Sequence, residues 1–125
     1  RGLGDVYKRQ SLKLSQKFSK YGKVCGFGLD QIKAKSVDIV INATSASLDG
    51  KMPKINGGVA QGAFCYDLMY GVETPFIKWA KENSASKVSD GLGLLVEQAA
   101  SSFTFWHSKT PDTKEVIKLI RAKVD

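Results

Sequence analysis

A chain of 125 residues, 42% hydrophobic and 25% charged, has the composition of one soluble domain large enough to bury a core of its own. No run approaches the ~20 apolar residues of a membrane-spanning helix, and no charged-then-apolar leader ends in small residues as a secretory signal does. A cytoplasmic protein with no membrane partner is expected.

The formal net charge is +7, of which the first ten residues supply +2. Lys13, Lys17, Lys20, Lys23, Lys33 and Lys35 lie at amphipathic positions without the interleaved aromatic rings on which bases stack. They read as a solvated face that could attract phosphorylated ligands, with no nucleic acid as partner. "DVYKRQ" at 5–10 resembles the translation of a transposon-end sequencing adapter, so residues 1–10 read as an adapter-derived scar and 11–125 as the natural sequence. On that reading the natural protein begins further upstream.

Leu14, Phe18 and Tyr21 recur at helical spacing before Gly22, which predicts a helix over 12–21. "KVCGFG" at 23–28 reads as a short strand and "LDQIKA" as one or two helical turns. "VDIVIN" at 37–42 is β-branched and almost continuously apolar, as a strand covered on both faces would be. Residues 43–62 are rich in Gly, Ser, Asn and Ala, and so long a loop in a compact domain is more often functional than idle.

"AFCYDL" at 63–68 is the next strand, and Thr74-Pro75 places a capping hydroxyl before a proline at the first helical position. That helix runs to about Asn83. "KVSD" is a third short strand leading through Gly91-Leu92-Gly93 into a long helix. Leu95, Val96, Ala99, Phe103 and Trp106 share one of its faces. Thr110-Pro111-Asp112 repeats the capping device before a last helix whose buried stripe is Val116, Ile117 and Ile120. Lys118, Arg121 and Lys123 suit the negative pole of its dipole. Cys25 and Cys65 lack the spacing of a zinc site or a redox pair and read as buried thiols.

Strands separated by helices imply a doubly wound α/β domain with a parallel sheet. Three polar clusters, Asn42–Ser47, Asp67–Gly71 and Asp90–Gly93, then fall at the carboxyl ends of strands, where open sheets bind ligands. Asn42-Ala43-Thr44 also fits the acceptor pattern for N-glycosylation, which requires a secreted protein. Asp67, after an apolar strand, and Asp90, before a helix, read as structural groups and caps rather than as acids or bases. His107, at a helix end, has no partner that would make it a base.

"INATSASLDG", "YDLMYGVETP" and "DGLGLLVEQA", with the helix preceding them, resemble the carboxyl-terminal half of the shikimate dehydrogenase family from about residue 11 to the end. The resemblance implies a Rossmann-like doubly wound sheet, here incomplete: the carboxyl-terminal portion of an NADP-binding domain with its terminal helices. It implies reversible reduction of 3-dehydroshikimate to shikimate with NADPH, on the route to chorismate and the aromatic amino acids. Carried over by motif, Tyr70 and Gln98 would bind the substrate, while Leu68 and Gly91 would face the nicotinamide end of NADP with Thr44 and Ser45 lining the same side. Taken without the motif, Tyr70 would read as a packed residue with a wet hydroxyl and Gln98 as surface.

The family's catalytic Lys and Asp, its glycine-rich phosphate loop and the Asn-Arg-Thr stretch that holds the 2′-phosphate of NADP have no counterpart in these residues. The 125 residues alone are therefore expected to be inactive, wanting an amino-terminal substrate domain. Ser47 stands where members usually place a glycine, which implies a modest change of loop shape. A quinate/shikimate dehydrogenase using NAD, or a non-catalytic α/β binding module, remain the alternatives.

Overall fold

The computed structural model describes residues 3–32, 37–46 and 50–124. The end of "LDQIKA" and the departure at Ser47 lie outside the described residues. Three apolar runs form strands close to where they were expected: β1 (Ile39–Asn42), β2 (Phe64–Asp67) and β3 (Lys87–Ser89). They form one parallel sheet in the order β1-β2-β3. Among the described residues four α-helices accompany them: α1 (Leu3–Phe18), α2 (Pro75–Glu82), α3 (Leu92–His107) and α4 (Thr113–Val124). No helix among the described residues is long and apolar enough to cross a membrane.

Register places Val40, Cys65 and Val88 side by side. Because side chains alternate across a strand, these three share one face of the sheet. Cys65 packs there with Ala60, Ala63, Phe76 and Ala80, while Val40, Val88, Met52 and Trp79 close the margin. Helix α2 supplies Phe76, Trp79 and Ala80, and Phe76 lies ring to ring with Trp79 at 5.5 Å. The long loop before β2 supplies Met52 and Ala60, so it serves the core as well as the strand ends. Thr74 caps α2 as expected, its Oγ1 accepting the Ile77 N–H at 3.2 Å with Pro75 at the first position.

The other face is open, against the expectation of a strand covered on both sides. Ile39 is 57% and Ile41 62% exposed, beside half-buried Phe64 and Tyr66. Helix α3 reaches this face at the tip, where the Leu94 N–H donates to the Tyr66 hydroxyl at 3.3 Å.

The segment 23–28 is not a strand. A strand needs a neighbour for its ladder, and this segment leans on α1 instead. The Ser11 hydroxyl donates to the Phe27 carbonyl at 3.0 Å, and Gly26 approaches so closely that an added Cβ would lie 2.4 Å from the Ser11 carbonyl oxygen. Cys25 is consequently exposed, whereas Cys65 is buried.

Helix α1 extends back to Leu3 through the stretch read as an adapter scar, then closes in a 3-10 turn at Ser19–Tyr21. Leu14, Phe18 and Tyr21 are exposed, because the face they form meets no sheet.

The two carboxyl-terminal helices also depart in detail from the periodicity. The buried stripe of α3 is Leu92, Val96 and Ala100, and Trp106 is 73% exposed. Leu95, Val96, Ala99 and Phe103 instead line an apolar cleft of about 350 Å³ against Val116 and Ile120 of α4, leaving Ile117 and Ile120 half-buried and Val116 exposed. The cap of α4 is Asp112 and not Thr110. Its Oδ1 accepts the N–H groups of Lys114 at 3.0 Å and Glu115 at 3.4 Å, so the helix starts after the carboxylate best placed to satisfy two orphan donors.

Candidate functional site

At the end of β1, Asn42 turns inward, 5% exposed. Its Nδ2 donates to Asp67 Oδ1 at 3.2 Å, and its Oδ1 accepts the Thr44 N–H at 3.2 Å and the Thr44 hydroxyl at 2.8 Å. An amide so engaged is closed to a glycosyl transferase, which removes the glycosylation reading for the folded chain. Its role is to turn the backbone sharply, so that Thr44 and Ser45 stand exposed just past the strand.

Asp67 ends β2 and is fully buried. Besides Asn42, its carboxylate accepts the Met69 N–H at 3.2 Å and the Thr74 hydroxyl at 2.5 Å. One side chain thus joins the ends of two strands to the start of α2. Its oxygens are taken up by these buried donors rather than presented to the surface. The structural role expected for Asp67 holds.

Beyond β2 the chain follows the same neighbours. The Leu68 N–H donates to the Asn42 carbonyl at 3.1 Å, and the Gly91 N–H to the Met69 carbonyl at 2.9 Å. Gly91 is the point of closest approach: a Cβ built there would stand 2.1 Å from the Leu68 carbonyl oxygen and 2.6 Å from its carbon. Its φ of −79° and ψ of 1° are open to any residue. Space, not backbone conformation, requires glycine.

Asp90 precedes this contact. Its Oδ1 accepts the Leu92 N–H at 3.3 Å, and its two oxygens receive both terminal nitrogens of Arg121, Nη1 to Oδ2 at 2.6 Å and Nη2 to Oδ1. The Arg121 guanidinium holds the carboxyl below its ordinary range against the upward push of burial, helped by the N–H groups of Leu92 and Gly71. Asp90 is therefore ionised at neutral pH and cannot serve as a general acid there.

The structure brings together four of the six expected site residues. Thr44 and Ser45 follow Asn42, Asn42 bonds to Leu68, and Leu68 abuts Gly91. Tyr70 stands exposed on the loop after Leu68. Gln98 is exposed on α3, one helical turn past Leu94. The side chains of Tyr70 and Gln98 make no hydrogen bond among the described residues. Among the described residues no group of three His, Cys, Asp or Glu could hold a metal ion.

Two residues shape this site in ways that the sequence does not disclose. Asn42 was visible as the polar end of an apolar strand, but its bonds to Asp67 and Thr44 were not. Arg121 was assigned to a helix dipole, and nothing local in the chain points across 31 residues to Asp90.

Comparison with known proteins places this arrangement. Residues 91–121 match the model of the shikimate 5'-dehydrogenase C-terminal domain. The chain is 56% identical over 112 residues to the shikimate dehydrogenase (NADP(+)) of Vesicomyosocius okutanii subsp. Calyptogena okutanii, an alignment covering 90% of this chain and 42% of that protein. Among solved structures, an Ael1 enzyme from Pseudomonas putida superposes with a TM-score of 0.82 at 36% identity, over 89% of this chain and 41% of that one. A shikimate dehydrogenase in complex with NADP+ superposes with a TM-score of 0.71 at 27% identity, over 94% and 43%. The chain spans less than half the length of the curated relatives it matches. In sequence and in fold, it corresponds to the carboxyl-terminal part of the NADP-dependent shikimate dehydrogenases.

Proposed function

We propose that the protein to which this chain belongs is an NADP-dependent shikimate dehydrogenase, reducing 3-dehydroshikimate reversibly to shikimate. The observation that carries the reading is the contact of Gly91 with the Leu68 carbonyl beside Thr44, at the carboxyl ends of three parallel strands. In a doubly wound sheet of order 3-2-1-4-5-6 the dinucleotide lies at the switch point between the halves. Strands β1, β2 and β3, adjacent and in chain order, fit the 4-5-6 half. The missing Cβ at Gly91 lets the Leu68 peptide close in upon it, so that the two segments together offer a flat backbone surface to a ring.

When bound, NADPH supplies the hydride that reduces the substrate carbonyl. The work of this chain is binding and orientation. Leu68 and Gly91 form the surface against which the nicotinamide end rests, with Thr44 and Ser45 beside it. Tyr70 and Gln98 offer neutral donors and acceptors to a polyhydroxy acid. Asp67 and Asp90, committed to Asn42, Thr74 and Arg121, take no part in moving protons. The acid/base pair comes from the amino-terminal domain that the resemblance implies.

Kinetics of the intact protein test these roles. Tyr70→Phe and Gln98→Ala raise KM for shikimate or lower kcat, with KM for NADP+ little changed. Thr44→Val and Leu68→Glu act first on KM for NADP+. If both sets disturb only the dinucleotide, or neither disturbs either substrate, the assignment of roles is wrong.

A further inference from the structure

Helix α4 is tied to the strand ends by an ion pair. Arg121 of α4 grips both oxygens of Asp90, the same carboxylate accepts the Leu92 N–H, and Gly71 borders the hollow that Asp90 and Arg121 line. Three segments meet there: the start of α3, the loop after β2, and α4. Otherwise α4 rests on α3 through half-exposed side chains beside an open apolar cleft.

The Asp90–Gly91 unit also holds the segment that follows β2. Gly91 abuts the Leu68 carbonyl and donates to Met69, while Gly71, at a φ of 78°, lines the same hollow as Asp90 and Arg121. A shift of the Asp90–Gly91 backbone is therefore passed to a segment carrying both Leu68 and Tyr70.

We propose that Arg121 is a positioning residue: gripping Asp90 in a two-pronged pair, it sets residues 68–71 against Gly91 and thereby orients Leu68 and Tyr70 over the strand ends. This rests on the functional reading above for its effect on catalysis, but the geometric part stands without it. Only a planar fork reaches both carboxylate oxygens at once, so lysine restores the charge and not the orientation.

The test compares wild type, Arg121→Lys and Arg121→Met in the intact protein, by thermal unfolding, by steady-state kinetics with shikimate and NADP+, and by amide hydrogen exchange. We expect Arg121→Lys to recover most of the stability that Arg121→Met loses. Both variants should nonetheless fall about ten- to a hundredfold in kcat/KM, as a displacement of about 1 Å at a reacting centre does. The Gly91 amide should exchange roughly tenfold faster in both, with amides in β2 unchanged. Kinetics that follow stability in parallel across the two variants would reduce Arg121 to a structural tie. Unchanged exchange at Gly91 in a folded Arg121→Met protein would overturn the proposal whatever the activity. A wild type without shikimate-dependent NADPH formation would sink the functional reading, and the exchange data would still decide the clamp.

Discussion

Replacing Gly91 by alanine puts a methyl group where the Leu68 peptide already lies. The new Cβ would stand 2.1 Å from the carbonyl oxygen, 2.6 Å from the carbonyl carbon and 3.1 Å from the Cα of Leu68. Side-chain carbons essentially never come within 3.0 Å of such atoms, so the two segments must separate by about 1 Å. They cannot do so freely. The Gly91 N–H is bonded to Met69 and the Leu68 N–H to Asn42, while Asp90 is held by Arg121. Overpacking of this kind costs about 1–3 kcal/mol, or roughly 2–10 °C in Tm for a domain of this class. Because φ and ψ at Gly91 suit alanine, no backbone strain adds to that figure. The functional cost is larger: a ~1 Å shift beneath the nicotinamide end removes about 10²-fold in rate and raises KM for NADP+. Thermal unfolding and initial rates on intact Gly91→Ala protein measure both effects. A variant that melts and turns over like wild type would refute the claim that the Leu68–Gly91 contact is rigid and faces the cofactor.

Thr74→Val removes both the cap of α2 and one partner of the buried Asp67 carboxylate. About 2–4 kcal/mol of destabilisation is expected, most of it recovered by Thr74→Ser, and chemical denaturation midpoints of the two variants check it. Asp90 has a folded pKa held below its ordinary 3.8 by Arg121, so its stabilisation is fully present above that value. It is lost as pH falls through the depressed folded value, because protonation then favours the unfolded chain. Asp90→Asn should accordingly lower stability at pH 7 and narrow its gap to wild type in acid; a constant gap across that range would contradict the pairing. Cys25 is exposed while burial pushes the Cys65 thiol up, so a thiol reagent with peptide mapping should modify Cys25 in the native state and Cys65 only on unfolding. Rapid labelling of Cys65 would mean that the core around Phe76 and Ala80 opens easily.

Local chemistry was legible in the chain wherever it was sufficient. The three strands of the sheet are short runs each closed by a polar residue, Asn42, Asp67 and, just past β3, Asp90, and Thr74-Pro75 announces α2 unaided. What periodicity could not supply is whether a partner exists. "KVCGFG" has the pattern of a strand but no neighbour to pair with, and Ile39 and Ile41 have the pattern of a covered strand without a cover. Helix α3 is apolar on much of its circumference, so spacing alone could not separate the buried Leu92, Val96 and Ala100 from Leu95, Ala99 and Phe103, which line the cleft without being buried. In Thr110-Pro111-Asp112 two residues could cap, and only the N–H groups of Lys114 and Glu115 decide for Asp112. The site residues came from motif resemblance rather than from pattern. The reason four of them converge, the hubs at Asn42, Asp67 and Asp90, depends on contacts between residues far apart in the chain.

The central claim is tested most directly by following shikimate-dependent NADPH formation with two purified preparations, the intact protein and the 125-residue chain alone. The account predicts turnover by the intact protein and none by the isolated chain, since loss of an acid/base group alone costs ~10²–10⁴ in rate and the substrate domain is lost with it. Turnover by the isolated chain would contradict the division of labour proposed here, and an intact protein inert towards shikimate would contradict the function itself.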